Sequence, residues 1–205
     1  MDTMSDSAAS PVPRRRLVVG VTGATGTAYA VRLLAELRAA GWESHLVVTE
    51  AGGLTARHEL GIGRRELEAK ADVVYGPREL GAAIASGSFL TDGMVIAPCS
   101  MKTLAAVAHA YSHDLIIRAA DVTLKERRRL VILPREAPFN LAHLRNMVAV
   151  TEMGAVVFPP VPALYAKPAT IDDLVGYTVA RVLDLFGLHA GSLARWQGIR
   201  PPEDD

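Results

Sequence analysis

Several short runs in this chain combine residue types that handle anions and protons. The first is Gly20-Val21-Thr22-Gly23-Ala24-Thr25-Gly26, which follows an apolar run and precedes a segment with helical spacing. Glycines let backbone N–H groups approach a ligand closely. A following helix adds amino-terminal donors and a field that favours negative charge. Thr22 and Thr25 add hydroxyls. The spacing is neither the dinucleotide G-x-G-x-x-G pattern nor a P-loop, which would need Lys-Ser/Thr. The run predicts phosphate or flavin binding, against the alternative of a tight strand–helix crossover that needs small residues. The second is Arg135-Glu136, which follows Leu130–Pro134 and opens Arg135-Glu136-Ala137-Pro138-Phe139-Asn140. A charged pair at a strand exit either holds a second, anionic ligand or forms a structural ion pair.

Three further runs fit the same chemistry. Pro98-Cys99-Ser100-Met101-Lys102-Thr103 is another strand-to-helix transition, with Ser100 as the expected N-cap and a source of ligand donors. Ser86-Gly87-Ser88 is either an anion-binding turn or a surface loop. Arg118 and Lys125 share a helical face, suited to a phosphate or to solvent. Strand two ends at Thr49-Glu50, where either residue has a position for contacting a cofactor. Cys99 reads as core packing. His109, His113 and His143 have no metal-site pattern, so no metal is expected.

These runs need a scaffold that brings strand ends together. Short β-branched segments alternate with helical ones: strands at Arg16–Val21, His45–Thr49, Ala71–Tyr75, Gly93–Ala97, Leu130–Leu133 and Ala155–Phe158. Helices are expected at Thr27–Ala40, Ala51–Leu60, Arg64–Lys70, from about Ser100, Leu115–Arg127, Leu141–Glu152 and 171–186, the last capped by Thr170 with Asp173. The pattern implies an α/β, Rossmann-like three-layer sandwich with a mostly parallel sheet and ligands at the carboxyl ends of its strands. The 205 residues, half of them hydrophobic, suffice for one domain, placed at 14–198 between loose tails at 1–13 and 199–205. Lys+Arg equals Asp+Glu, and Lys125–Arg129 mixes signs, so nucleic acid is not an expected partner. No apolar run reaches membrane-spanning length. One cysteine and no secretion signal point to the cytoplasm.

The ordered set Gly20–Gly26, Ala85–Ser88, Pro98–Thr103, Arg118–Arg127, Pro134–Pro138, Ala163-Leu164-Tyr165 and Val179-Ala180-Arg181 resembles the bacterial flavin prenyltransferases, including the B subunits of phenolic-acid decarboxylase systems. The resemblance runs from about Arg15 to Trp196. It implies a flavoprotein-type fold, a homododecamer, and transfer of a dimethylallyl group from dimethylallyl monophosphate to reduced FMN. Bonds at N5 and C6 of the flavin close a ring, and the prenylated FMN serves a partner decarboxylase. By the same resemblance, Gly23, Ala24, Thr25, Thr49, Ser100, Met101, Lys102, Thr103 and Arg135 bind FMN. Ser86, Arg118, Lys125, Glu136, Tyr165 and Arg181 bind the prenyl phosphate, some from neighbouring subunits, and Trp196 lies near the opening. Leu80 or Ile84 occupies a region where some members have an aromatic residue.

The resemblance implies a division of labour. Arg118, Lys125 and Arg181 put positive charge on the leaving phosphate, while Ser86 and Tyr165 direct hydrogen bonds to it. Glu136 assists proton transfer to the phosphate, and Glu59 helps remove the C6 proton. A cationic cluster without a metal motif fits a monophosphate better than a diphosphate. The competing readings are a non-catalytic FMN carrier of a decarboxylase system and another FMN-dependent decarboxylase. A nicotinamide enzyme is weaker because its glycine spacing is absent.

Overall fold

A computed structural model describes residues 14–189, together with 195 and 198; the expected tails at 1–13 and 199–205 lie outside the described residues. Strands β1 (Arg16–Val21), β2 (Glu43–Val48), β3 (Val73–Tyr75), β4 (Gly93–Cys99), β5 (Arg129–Pro134) and β6 (Val156–Val157) form one sheet in the order β3-β2-β1-β4-β5-β6. Every pairing is parallel. After Arg16, β1 is buried throughout, as are β2 after Glu43 and the whole of β4, as expected for strands covered on both faces.

Helices α1 (Thr27–Ala39), α2 (Glu50–Leu60), α3 (Arg64–Glu68) and α7 (Ile171–Asp184) cover one face. Helices α4 (Met101–Ala108), α5 (Leu115–Lys125) and α6 (Leu141–Glu152) cover the other. In α1, Ala30, Leu33, Leu34 and Leu37 recur at i, i+3, i+4 and i+7 and are buried against the sheet. Burial of each such leucine is worth roughly 1.5–3 kcal/mol. The chain steps outward from β1 to β3, returns to β4 beside β1, and steps outward again to β6. The loops after β1 and β4 therefore diverge and leave a crevice at the carboxyl edge.

The sheet is fully parallel among the described residues. β2 begins at Glu43, earlier than its hydropathy indicates, because Glu43 pairs in register with Arg16 and bonds its guanidinium at 3.1 Å. β4 continues through Pro98 to Cys99, with a register shift between Ile96 and Cys99. Helices α5 and α7 end at Lys125 and Asp184, two residues before the expected boundaries. Thr170 and Asp173 form the expected reciprocal cap of α7. No described helix is long and apolar enough to cross a membrane.

Where β4 begins, Gly93 has φ 144°, and a Cβ there would lie 2.3 Å from the Arg129 carbonyl oxygen and 2.8 Å from the Phe186 ring. Gly93→Ala is expected to destabilise the fold by about 2 kcal/mol or more. Thermal unfolding should show a midpoint lowered by roughly 5 °C; an unchanged midpoint would contradict this packing.

Candidate active site

The crevice is built by hydrogen bonds between loops. The buried Thr22 hydroxyl donates to the Pro98 carbonyl and accepts from the Ser100 amide, each at 2.8 Å. The Arg135 amide donates to the Cys99 carbonyl at 3.1 Å, so the loop after β5 joins the same edge. Ser100 caps α4 by accepting from the Thr103 amide, and its hydroxyl is 3.1 Å from that of Thr103. Thr49 caps α2, accepting from the Gly52 amide at 3.0 Å. The hydroxyls of Ser100, Thr103 and Thr49 thus already serve the scaffold. Gly23 packs against α2, since a Cβ there would meet that of Ala51 at 2.4 Å. The expected crossover role of this glycine is present, and the ligand role has to come from the exposed backbone beside it.

Glu59 brings a carboxylate to the amino end of α1. It accepts from the Gly26 and Thr27 amides at 3.0 Å and from the Thr25 hydroxyl. Partial burial pushes its pKa up, but the Thr25 hydroxyl and the Thr27 and Gly26 amides outweigh that, leaving it below the ordinary glutamate value. The helix terminus expected to attract an anion does hold one, and it is the chain's own. Around it, Gly23 and Ala24 contribute little side-chain bulk, Met101 and Lys102 open α4, and exposed Arg135 follows β5. Small residues flanked by cations and hydroxyls suit a ligand with a flat ring and an anionic tail, so this donor set fits FMN. Cys99 is fully buried, and burial pushes its thiol far above the usual range, so it packs and does not attack.

The remaining expected residues fall into separate groups. Ser86, Arg118 and Lys125 come together along α5. The Ser86 and Ser88 hydroxyls are 3.0 Å apart, and the Arg118 Nε donates to the Ala85 carbonyl at 3.2 Å. A Cβ on Gly87 would lie 2.8 Å from the Lys125 Nζ. Arg118 also pairs with Asp121 at 2.7 Å, and Lys125 with Glu126. Lys125 ends α5 shortly before β5 begins, so it lies at the amino edge of the sheet. A six-residue strand separates that edge from the crevice, roughly 20 Å at 3.3 Å per residue.

Tyr165 and Arg181 lie with α7, across the sheet from α5. The Tyr165 and Tyr177 hydroxyls are hydrogen-bonded, and Arg181 pairs with Asp184 at 3.2 Å. Glu136 is exposed beside Arg135, and its carboxylate accepts from the Ala137 amide at 3.0 Å. Trp196 lies outside the described residues. One chain therefore brings together the expected cofactor residues, and separately Ser86 with Arg118 and Lys125, without joining the two groups.

The chain matches the Flavoprotein family over residues 6–183. It is 55% identical over 185 residues to flavin prenyltransferase UbiX of Neisseria meningitidis serogroup B, across 90% of this chain and 98% of that protein. The chain belongs to the flavin prenyltransferase family. A member of known structure, AnUbiX (PadA1) in complex with FMN and dimethylallyl pyrophosphate, superposes with a TM-score of 0.90 at 48% identity, covering 92% of this chain and 100% of that chain. A dodecameric FMN-dependent UbiX-like decarboxylase from Escherichia coli O157:H7 superposes with a TM-score of 0.87 at 48% identity, covering 89% and 100%.

Sequence reasoning missed two partners of the residues expected to bind the prenyl phosphate. Asp184, three residues after Arg181, was visible as an i,i+3 pair. Tyr177 was not, because only the fold brings it to Tyr165. The Arg195 guanidinium, followed by opposing burial and then His189, holds Asp184 at about 2, below its ordinary 3.8. A depressed carboxylate contributes stability above its unfolded pKa and loses it as pH falls through the folded value. Asp184→Asn should therefore flatten the acid limb of stability between 3.8 and about 2, followed by urea unfolding at each pH. An acid limb equal to that of wild type would refute the linkage. Thr25→Val should move the Glu59 titration upward, read from its side-chain carboxyl carbon by NMR; an unmoved titration would show that the Thr25 hydroxyl does not hold it down.

Proposed function

We propose that this chain transfers a dimethylallyl group from dimethylallyl monophosphate to reduced FMN. The product is N5–C6 ring-closed prenylated FMN for a partner decarboxylase. The observation that carries the reading is the coexistence of an FMN-compatible crevice with a separate serine turn flanked by Arg118 and Lys125. A carrier would need only the crevice. Because Lys125 and the crevice lie at opposite edges of the sheet, a complete site takes α5 from a second copy. A homododecamer supplies such neighbours. We assign the enzyme to the cytoplasm, where the buried thiol of Cys99 suits a reducing compartment.

Gly23, Ala24, Thr25, Thr49, Ser100, Met101, Lys102, Thr103 and Arg135 would hold FMN. When bound and reduced, FMN supplies the nucleophile. The protein provides the complementary chemistry. Arg118, Lys125 and Arg181 neutralise charge that grows on the departing phosphate, so they favour the transition state over the bound donor. Ser86 and Tyr165 orient the phosphate by hydrogen bonding. Glu136, exposed at the strand exit, delivers a proton to the phosphate. Glu59 is the proton acceptor, kept ionised by the α1 donors. Those donors weaken its basicity, so acceptance becomes easier as they engage another anion.

Anaerobic incubation with reduced FMN and dimethylallyl monophosphate should add one five-carbon prenyl unit to the flavin mass and release phosphate. The diphosphate, run in parallel, should react more slowly. Lys125→Ala should lower kcat by roughly 10²-fold or more, and Glu136→Gln by about 10²-fold. Bound, unmodified FMN with active protein and both substrates verified would favour a carrier or another FMN enzyme.

A further inference from the structure

The turn that holds Ser86 is fixed from beneath by an arginine outside the set assigned to either ligand. Arg128 donates from Nη2 to the Gly87 carbonyl at 2.6 Å and from Nη1 to the Phe89 carbonyl at 2.8 Å. With Arg118 on the Ala85 carbonyl at 3.2 Å, three alternate carbonyls of one short loop accept from guanidinium groups. The Phe89 ring is also held: the Arg16 guanidinium carbon lies 5.0 Å from its centroid, and the buried His45 ring meets it edge-on at 5.2 Å. Gly87 is pressed against the end of α5, where a Cβ would meet the Glu126 carboxylate at 2.1 Å.

The helix ending aims Arg128 at the loop. Arg127 takes the left-handed conformation at φ 55°, its amide donates to the Leu124 carbonyl at 3.0 Å, and the Arg128 amide donates to the Thr123 carbonyl at 2.9 Å. These are the two bonds of a Schellman ending, here turned by arginine in place of the usual glycine.

We propose that Arg128 is a positioning residue for the prenyl phosphate. Its guanidinium binds the Gly87 and Phe89 carbonyl oxygens on either side of Ser88, and so holds in one shape the turn that carries the Ser86 and Ser88 hydroxyls. This rests on the assignment of the donor phosphate to Ser86, Arg118 and Lys125. A planar guanidinium spans two acceptors, whereas an ammonium is a point charge, so lysine cannot replace it.

Arg128→Ala and Arg128→Lys test the assignment, with hydrogen–deuterium exchange of residues 84–90 and steady-state kinetics as readouts. Both variants should speed exchange of the loop amides tenfold or more and raise KM for dimethylallyl monophosphate about tenfold. The lysine variant should hold kcat within about threefold, and both should hold FMN affinity within about twofold. Wild-type exchange in Arg128→Ala, faster exchange with unchanged KM, or wild-type behaviour of Arg128→Lys would each overturn the role. If the alanine variant fails to fold, the lysine variant decides. If wild-type protein transfers no prenyl group, the functional reading falls, and exchange alone judges the clamp.

Discussion

One buried hydroxyl organises the carboxyl edge of this sheet. Thr22 bridges the last residues of β1 and β4 by donating to Pro98 and accepting from Ser100. A neutral hydrogen bond adds only about 1 kcal/mol to stability, but leaving a buried partner unsatisfied costs about 1–3 kcal/mol. The larger consequence is geometric. The bridge sets the separation of the two central loops, and the Arg135 amide extends the same arrangement to β5 through Cys99. Gly23 and Gly52 then bring α2 against the first loop, which delivers Glu59 to the amino end of α1. Cofactor loops, carboxylate and strand exit are consequences of one closely packed crevice.

The charges follow a common pattern. Arg118, Lys125 and Arg181 each pair with an acidic residue one to three positions along the chain. Such partners hold the long side chains in place while leaving them partly exposed, and partly exposed pairs of this kind contribute little to stability by themselves. Their use is orientation. The α1 terminus works in the same way, with Glu59 occupying donors that would otherwise be unsatisfied.

Division of the expected cofactor and phosphate residues between the two edges of the sheet is what ties the proposed reaction to assembly. A parallel sheet sends its strand-exit loops to one edge and the ends of its returning helices to the other. Under the proposed function, a site that joins the crevice to the end of α5 draws on neighbouring copies. The exposed apolar residues of α6, including Leu141, Leu144 and Val148, are consistent with a chain that has surfaces to cover.

Much of the fold was legible in the sequence. β-Branched runs alternating with helical periodicity imply the parallel three-layer sheet, and the caps at Ser100 and Thr170 were visible because capping depends on residues three apart. The ordered motifs likewise pointed to the flavin prenyltransferases. These features are local or sequential, and a linear reading captures them. The tertiary structure decided which donors are already engaged and which motifs can meet. Thr22 lies 78 residues from Ser100 and Arg128 lies 41 from Gly87, so neither contact has a local signal. Sequence by itself determined the residue types available for the chemistry; packing decided that Glu59 fills the α1 terminus, that Arg128 holds the serine turn, and that the expected cofactor residues and Lys125 lie at opposite edges, because those outcomes depend on the separation of strands in space.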